Sequence, residues 1–535
     1  MSRGKSEYVI AIDLGTSGSK VSLFDTYGEF VDCEFEKVPL LLFPDGGAEQ
    51  RPEDWWRAIT EAAKRLLTKR TVPTDAIIAV NCTAQWSGTV PVDEDGNNLM
   101  NCVIWMDSRG AEYVKRIIYG PIMFEGYSIP KLIRWLRLTG GAPSHSGKDS
   151  IAHILYIKNE LPEIYNKAYK FLEPKDYINL KLTGRFAASF DSITLHWVTD
   201  NRDISNVKYD DKLVKISTID RQKLPDLLGT VEILGPIKKE VAVEWGLPEN
   251  LPVVIGTPDT QSAAIGSGAV RDFESHFYIG TSSWLICHVP FKKTDLFHNM
   301  ASIPSALPGR YLLATEQECA GACLNFLKNI LYHEDESQEE TEPQEVFEVL
   351  NRIAQAVPAG SGKVIFTPWL FGERTPVDDH HIRGGFHNLS LDTTREQLVR
   401  AVFEGVAYNG RWLLGYAEKF VKRRLDAINI IGGGAQSKVW CQICADVFDR
   451  PIRQVKHPIQ ANARGAALLA SMALGRVTVD EIAERIHIAN TFEPKPENRC
   501  IYDELFKEFT RIYSSTKGYH ARLNKPQKVK RSSRR

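Results

Sequence analysis

The chain is nearly without net charge. Its 66 Lys+Arg and 67 Asp+Glu leave a formal charge of −1 across 535 residues, which offers no electrostatic reason to expect nucleic acid or an anionic membrane as the main partner. No apolar run reaches the ~18 residues of a membrane-spanning helix. The opening MSRGKSEY lacks the hydrophobic segment of a secretory signal, so a cytoplasmic location is expected. Neither GxGxxG nor GxxxxGK[ST] is present, which removes the usual sequence cues for a dinucleotide-binding turn and a P-loop. Cysteine is not scarce, with nine residues, but the close pairs Cys319/Cys323 and Cys441/Cys444 only partly mimic a redox CxxC. In WCQICADVF the three-residue spacing puts Cys441 and Cys444 on one helical face, as buried thiols.

What is present starts with AIDLGTSGSKVSLFD at 11–25. Tyr8 to Leu14 reads as a buried strand and Lys20 to Phe24 as its return, with Phe30 to Phe35 a third strand. Gly15 and Gly18 allow a tight turn between the first two. That turn is either a plain hairpin tip or an anion cradle built from backbone N–H groups and the hydroxyls of Thr16, Ser17 and Ser19. A helix from Arg51-Pro52-Glu53-Asp54 to Leu67 follows, opened by proline and acids. Ala76 to Cys82 is a strand, and Lys131–Leu138 and Ile151–Leu161 are helices. The length exceeds what one core normally serves, so at least two domains are expected.

The strand–turn–strand pattern recurs with His276–Ile279, the turn GTSS and Trp284–Val289. This echo suggests two related domains, 1–264 and 265–500, followed by a C-terminal helix and basic tail at 501–535, with a ligand held between the turns. The acidic stretch from His333 to Glu345 reads as a solvated insertion, and KPQKVKRSSRR from Lys525 as a disordered tail.

Phosphoryl transfer needs a divalent ion, donors for phosphate oxygens and a group that orients the attacking hydroxyl. Asp13, at a strand end beside the first turn, suits magnesium, for which one or two carboxylates suffice; it equally suits a turn cap. Asp259 in VVIGTPDTQSAAIG stands at the start of a helix, as its N-cap, as a base accepting an alcohol proton, or as both. Gly280, Thr281 and Ser282 could bind the far phosphates. Gly432-Gly433-Gly434 between a strand ending at Ile431 and a helix from Lys438 suggests a flat ligand close to the backbone, with loop flexibility the alternative.

IDLGTSGSK, WMDSR, LEPKDYINLKLTG, GTPDTQSAAIGSG, YIGTSS, FTPWLFGERTP and NIIGGGAQSKVWCQICADVFDRPI stand in order over residues 8–475. Together they resemble the FGGY family of carbohydrate kinases, and among its members the xylulose kinases most. The resemblance implies an α/β fold of two ribonuclease-H-like domains, of the actin and sugar-kinase type, flanking an ATP–sugar cleft. It implies ATP and Mg2+ as cofactors and a small-molecule sugar or polyol as partner; self-association into a homodimer is left open. By motif, Asp13 resembles the magnesium-associated aspartate and Asp259 the catalytic base. Gly15, Thr16 and Ser17 match the first phosphate turn, and Gly280, Thr281 and Ser282 the second. Gly433, Gly434, Ala435 and Ser437 match the adenosine segment, with Gln436 nearby. Trp105, Asp107 and Arg109 correspond to a segment near the sugar, where Asp107 and Arg109 also read as a structural ion pair.

Two departures bear on substrate. Gln85-Trp86-Ser87-Gly88 stands where xylulose kinases carry Gln-Met-His-Gly, and Thr260 follows the base where asparagine is usual. Both change the polar groups offered to sugar hydroxyls. D-xylulose is the first expectation, another ketopentose, sugar or polyol the alternative, and a catalytically silent nucleotide-binding scaffold the reading of another class.

Overall fold

The computed structural model describes residues 6–331 and 343–524. The first sheet contains β1 (Tyr8–Gly15), β2 (Gly18–Asp25) and β3 (Phe30–Lys37), then α1 (Pro52–Thr68) and β4 (Ile77–Ala84). After α2 (Pro174–Thr183) come β5 (Ile233–Pro236), β6 (Pro252–Val254) and α3 (Asp259–Gly266). Their order across the sheet is β5-β6-β4-β1-β2-β3, with β4 parallel to β1 and β6 parallel to β4.

The second sheet repeats this plan. Its strands are β7 (Ser275–Ile279), β8 (Ser283–Val289), β9 (Thr294–Asp295), β10 (Met300–Pro304) and β11 (Tyr311–Ala314), followed by α4 (Gly321–Leu331) and α5 (Pro343–Ala356). Then come α6 (Arg395–Val421), β12 (Ile428–Ile431), α7 (Lys438–Phe448), β13 (Ile452–Val455), α8 (Ala461–Ala473), β14 (Ile488–Phe492) and α9 (Arg499–Leu523). The order β9-β10-β11-β8-β7-β12-β13-β14 places a hairpin β7–β8 beside parallel β12 and β13. The hairpin β1–β2 stands beside parallel β4 and β6 in the same way. The sequence echo is thus a repeated topology.

Strand β1 shows why the first core forms. Its residues alternate between two buried faces, as a central strand requires. Ile10, Ile12 and Leu14 share one cluster with Trp55, Ile59, Ala62 and Leu66 of α1. Burial of such large apolar side chains contributes about 1.5–3 kcal/mol each. Val9 and Ala11 face the other way, against Ala463, Ala466, Ala467 and Ala470 of α8. This second cover comes from the far end of the chain. Asn81 on β4 fixes it by donating to the Ala466 carbonyl at 2.7 Å.

The second segment of the chain, 265–500, thus also serves the first sheet. Helix α8 belongs to the first sheet as a packing partner, and it crosses α3 closely: a Cβ on Gly465 would lie 1.8 Å from the Ser262 carbonyl oxygen, and one on Gly266 1.8 Å from that of Ala461. The C-terminal helix α9 packs on the second core, where Tyr502, Leu505 and Phe509 are buried. Residues between 103 and 224 build a further apolar cluster around Trp135, Ile154 and Phe171.

The acidic stretch from His333 lies outside the described residues except Pro343–Glu345, which open α5, and so does the basic tail. Cys441 and Cys444 are buried, as expected. No helix among the described residues is long and apolar enough to cross a membrane.

Candidate active site

Parallel strands align their carboxyl ends, and ligands gather there in open α/β sheets. Here Asp13 on β1 pairs in register with Thr83 on β4. The Thr83 hydroxyl donates to the Thr257 carbonyl at 2.8 Å, tying the end of β6 to the same edge. Gly256 adopts φ +70°, and a Cβ there would meet the Cys82 carbonyl oxygen at 2.3 Å; only glycine permits this approach. Two residues past Thr257, α3 begins.

Pro258 occupies the N-cap and Asp259 is the first helical residue, which corrects the N-cap reading. Asp259 Oδ1 accepts from the Thr260 backbone N–H at 2.7 Å and from the Thr260 hydroxyl at 3.1 Å. Oδ2 meets no hydrogen-bond donor among the described residues. Burial, with the Asp13 carboxylate beside it, pushes Asp259 up to about 7, against the Thr260 bonds that favour its charged form. Asp13 is steadied by Lys20, whose ammonium lies 3.6 Å away and also donates to the Ile459 carbonyl.

The first turn closes with Gly15 paired to Gly18, leaving Thr16-Ser17 at its tip. The Thr16 hydroxyl donates to Gln85 Oε1 at 2.9 Å and accepts from Trp105 Nε1 at 3.0 Å, so it braces the turn. Ser19 faces the interior. Of the three hydroxyls expected to greet phosphate, only Ser17 is exposed. Behind the tip, Gln50 donates to the Thr16 carbonyl at 2.8 Å and accepts from Gln85 and Trp55. Sequence reading passed over Gln50, whose only signal is a polar residue just ahead of a helix.

The remaining residues expected at the sugar are partly spent on protein. Trp86 Nε1 donates to the Ser192 carbonyl at 2.9 Å, leaving its ring as the available face. The Ser87 hydroxyl donates to the Lys148 carbonyl at 2.6 Å from a backbone at φ +60°. Asp107 accepts from the Ala48 and Arg109 backbone N–H groups and from the Arg109 guanidinium. Arg109 in turn reaches Glu49 and Tyr156. Asp107 is thus the ion-pair member, with its oxygens saturated, and the Ser87 hydroxyl is spent on the Lys148 carbonyl. The ion-pair reading of Asp107 and Arg109 from the sequence is the one this geometry carries.

A buried charged layer supports the Asp259 loop. Lys175 donates to the Ile255 carbonyl at 3.0 Å and pairs with Asp176; Asn179 donates to the same carbonyl at 2.7 Å. Asp191 accepts from the Thr257 hydroxyl. The PKDY motif carried this signal, as charges inside an otherwise apolar segment. On the second domain, Arg374 pairs with Glu316 and Glu318, and burial pushes Glu373 up to about 7.

The second turn mirrors the first. Gly280 N–H bonds the Ser282 carbonyl at 2.9 Å, and Thr281 is exposed. Backbone N–H groups of Ala320 and Gly321 hold the Thr281 and Gly280 carbonyls, each at 2.8 Å. The triple glycine divides in function. Gly432 takes φ +90° with a Cβ position 2.6 Å from the Ile279 carbonyl oxygen, and a Cβ on Gly434 would strike Ile279 Cγ2 at 2.4 Å. Packing explains both, contrary to expectation; only Gly433 faces open space. Ala435 is buried, Gln436 leans back on the Gly433 carbonyl, and Ser437 caps α7 while donating to Asn351 at 2.6 Å.

Residues 8–266 match the N-terminal domain of the FGGY family of carbohydrate kinases and residues 277–474 its C-terminal domain. A xylulose kinase of Staphylococcus epidermidis is 30% identical over 540 residues, covering 97% of this chain and 98% of that protein. A gluconokinase of Bacillus subtilis is 25% identical, covering 95% and 96%. The crystal structure of gluconate kinase from Lactobacillus acidophilus matches with a TM-score of 0.83 at 26% identity, covering 97% of this chain and 100% of that one. The chain belongs to the FGGY family of carbohydrate kinases, ATP-dependent phosphotransferases acting on sugars and polyols.

Proposed function

We propose that this kinase phosphorylates a hydroxyl of a small sugar, a ketopentose such as D-xylulose foremost, with Asp259 as general base. The observation that carries the reading is the Asp259 carboxylate. One oxygen is held by Thr260 and the other is free, and its proton affinity sits near neutrality, where a general base is most effective. Asp259 accepts the hydroxyl proton as the alcohol oxygen attacks phosphorus. Exposed Ser17 and Thr281, with the tips of the two turns, supply donors to phosphate oxygens. Gly433 leaves room for adenosine, flanked by Gln436 and Ser437. The rings of Trp86 and Trp105 form the apolar side of the sugar site, and Thr260 offers a hydroxyl beside the base.

Magnesium fits this arrangement. Two carboxylates, Asp13 and Asp259, oppose one another closely enough to raise the proton affinity of the second, and a divalent cation relieves such repulsion. No larger cage of His, Cys, Asp or Glu exists among the described residues, which suits an ion that keeps most of its waters. Asp13 would hold it, and the ion when bound neutralises phosphate charge.

A sugar acid is the second reading. The Lys148 ammonium is recessed, with burial lowering its proton affinity, and lies 5.4 Å from the Phe371 ring centroid. Its own carbonyl holds Ser87, so it borders the segment where this chain departs from the xylulose kinases. ADP release measured over ketopentoses, aldonates, polyols and glycerol decides between the readings. Asp259→Asn tests the chemistry: single-turnover phosphate transfer should fall roughly 10²–10⁴-fold, the scale of a lost acid–base group, while sugar and ATP still bind. Near-normal transfer by the folded variant rules out the base.

A further inference from the structure

Tyr278 has no part in the phosphoryl transfer just described, yet it stands on β7 two residues ahead of Gly280. It is half-buried, whereas the other four residues of that strand are buried.

Three contacts fix where its ring lies. Across the hairpin Tyr278 pairs with Trp284, and the two rings stack with centroids 3.8 Å apart and planes 3° from parallel. Trp284 is itself anchored, its Nε1 donating to His276 Nε2 at 3.3 Å. Both edges of the phenol meet glycines. A Cβ on Gly280 would lie 2.3 Å from Tyr278 Cε1 and 2.6 Å from its hydroxyl oxygen, and a Cβ on Gly432 would lie 3.0 Å from Cε2. The phenol therefore runs along the second turn, with its oxygen beside Gly280.

The same ring borders the cleft. It packs on the cluster that holds Ala263 and Ala264, one helical turn beyond Asp259, and Trp86 packs on that cluster too. The Tyr278 hydroxyl meets no hydrogen-bond partner among the described residues and, unlike that of Tyr408, it is not sealed from solvent. Tyr311 and Tyr502, by contrast, spend theirs on the Asn201 carbonyl and on Glu404. A tyrosine hydroxyl usually finds a partner when its ring is buried, so this one is free to serve a ligand. Burial, with the Asp259 and Asp13 carboxylates adding to it, raises its proton affinity far above the ordinary value, and the group stays a donor at any working pH.

We infer that the Tyr278 hydroxyl donates a hydrogen bond to an oxygen of the γ-phosphoryl group of ATP, which makes Tyr278 a further catalytic residue. The inference rests on reading Gly280–Ser282 as a phosphate turn. During transfer, charge spreads over the three equatorial oxygens of the phosphoryl group, and donors already aimed at them stabilise it. The phenol keeps its proton throughout. The bond from phosphorus to the ADP oxygen breaks as the bond to the sugar oxygen forms, and the alcohol proton passes to Asp259.

Tyr278→Phe tests this in the full chain, because it removes the hydroxyl and keeps the ring that stacks on Trp284. Its melting temperature should match the parent. By calorimetry with magnesium, the β,γ-imido analogue of ATP should bind about tenfold more weakly, the scale of a hydrogen bond to a charged group, while ADP binds as before. Turnover, measured with the acceptor that gives the fastest ADP release, should fall about 10–100-fold, at or below the loss of one oriented donor, with the sugar KM unchanged. Thr281→Glu, which sets a carboxylate on the exposed tip of the turn, should weaken both nucleotides. Parent-like analogue affinity and turnover in Tyr278→Phe, with Thr281→Glu still weakening both nucleotides, overturns the role of Tyr278 and leaves the phosphate turn standing. Equal losses for ADP and the analogue in Tyr278→Phe move the contact to an inner phosphate and overturn the γ-phosphoryl assignment. Parent-like binding of both nucleotides by Thr281→Glu removes the phosphate turn, and the inference falls with it.

Discussion

At the scale of the residue, several side chains of the candidate site are spent on protein partners. The Thr16 hydroxyl bonds both Gln85 and Trp105, and Asp107 is saturated by Ala48 and Arg109. The glycines divide measurably. Gly433→Val adds a side chain where nothing lies within 4 Å, so thermal unfolding should stay at the parent value while ATP affinity drops. Gly434→Val drives into Ile279 and Trp440 and should cost about 1–3 kcal/mol of stability, as overpacking does. Calorimetric ATP titration with parallel melts checks both. Undiminished affinity in the Gly433 variant removes adenosine from this segment.

At the scale of the element, the crossing of α3 and α8 carries the most strain-sensitive contact. Gly465→Ala places a methyl 1.8 Å from a backbone oxygen of α3, which no rotamer change relieves. We expect a loss of about 1–3 kcal/mol or more together with reduced turnover, because α3 begins with Asp259. Chemical denaturation and steady-state rates read the two effects; parent-like stability would show that the helices slide apart freely.

This crossing also shows what the sequence could and could not convey. The hairpins at 13 and 280 were legible because strand period and glycine position coincide within fifteen residues, with an acidic strand end at Asp13 in the first. Helix α1 was legible from Pro52, Glu53 and Asp54. The seat of α8 was not, since ANARGAALLASMA has no polar face to orient it and its partners Val9, Ala11 and Ala79 lie hundreds of residues away. The site was legible as motifs, Asp13 and Asp259 among them. Which side chains bond to protein was hidden, because the bonds that turn Ser87 toward Lys148 or Thr16 toward Gln85 span about sixty residues or more.

At the scale of the whole molecule, buried ionisable groups set the response to pH. Burial lowers His153 to about 4 and His196, His276 and His288 to about 3 from an ordinary 6.5. The unfolded chain therefore binds more protons than the folded one below 6.5, and stability falls as pH drops from there toward 3. Burial raises Glu173 to about 8 and Glu373 to about 7 from an ordinary 4.5. For these the folded state binds more protons, and stability falls as pH rises from 4.5 toward 8. The two trends oppose one another between about 4.5 and 6.5, where the melting temperature should peak. Melts at constant ionic strength check this; a flat profile from 6.5 to 8 would mean that the two glutamates are ionised when folded.

The placement of α8 also has a consequence for biosynthesis. The first sheet, through α3, is complete at Gly266, but the alanine face that covers Val9, Ala11, Phe24 and Val254 belongs to Ala461–Ala473. At about 5–20 residues per second, the ribosome needs about 10–40 s to add the intervening stretch. For that interval one face of the nascent sheet stays bare, an open invitation to a chaperone or to a neighbouring nascent chain.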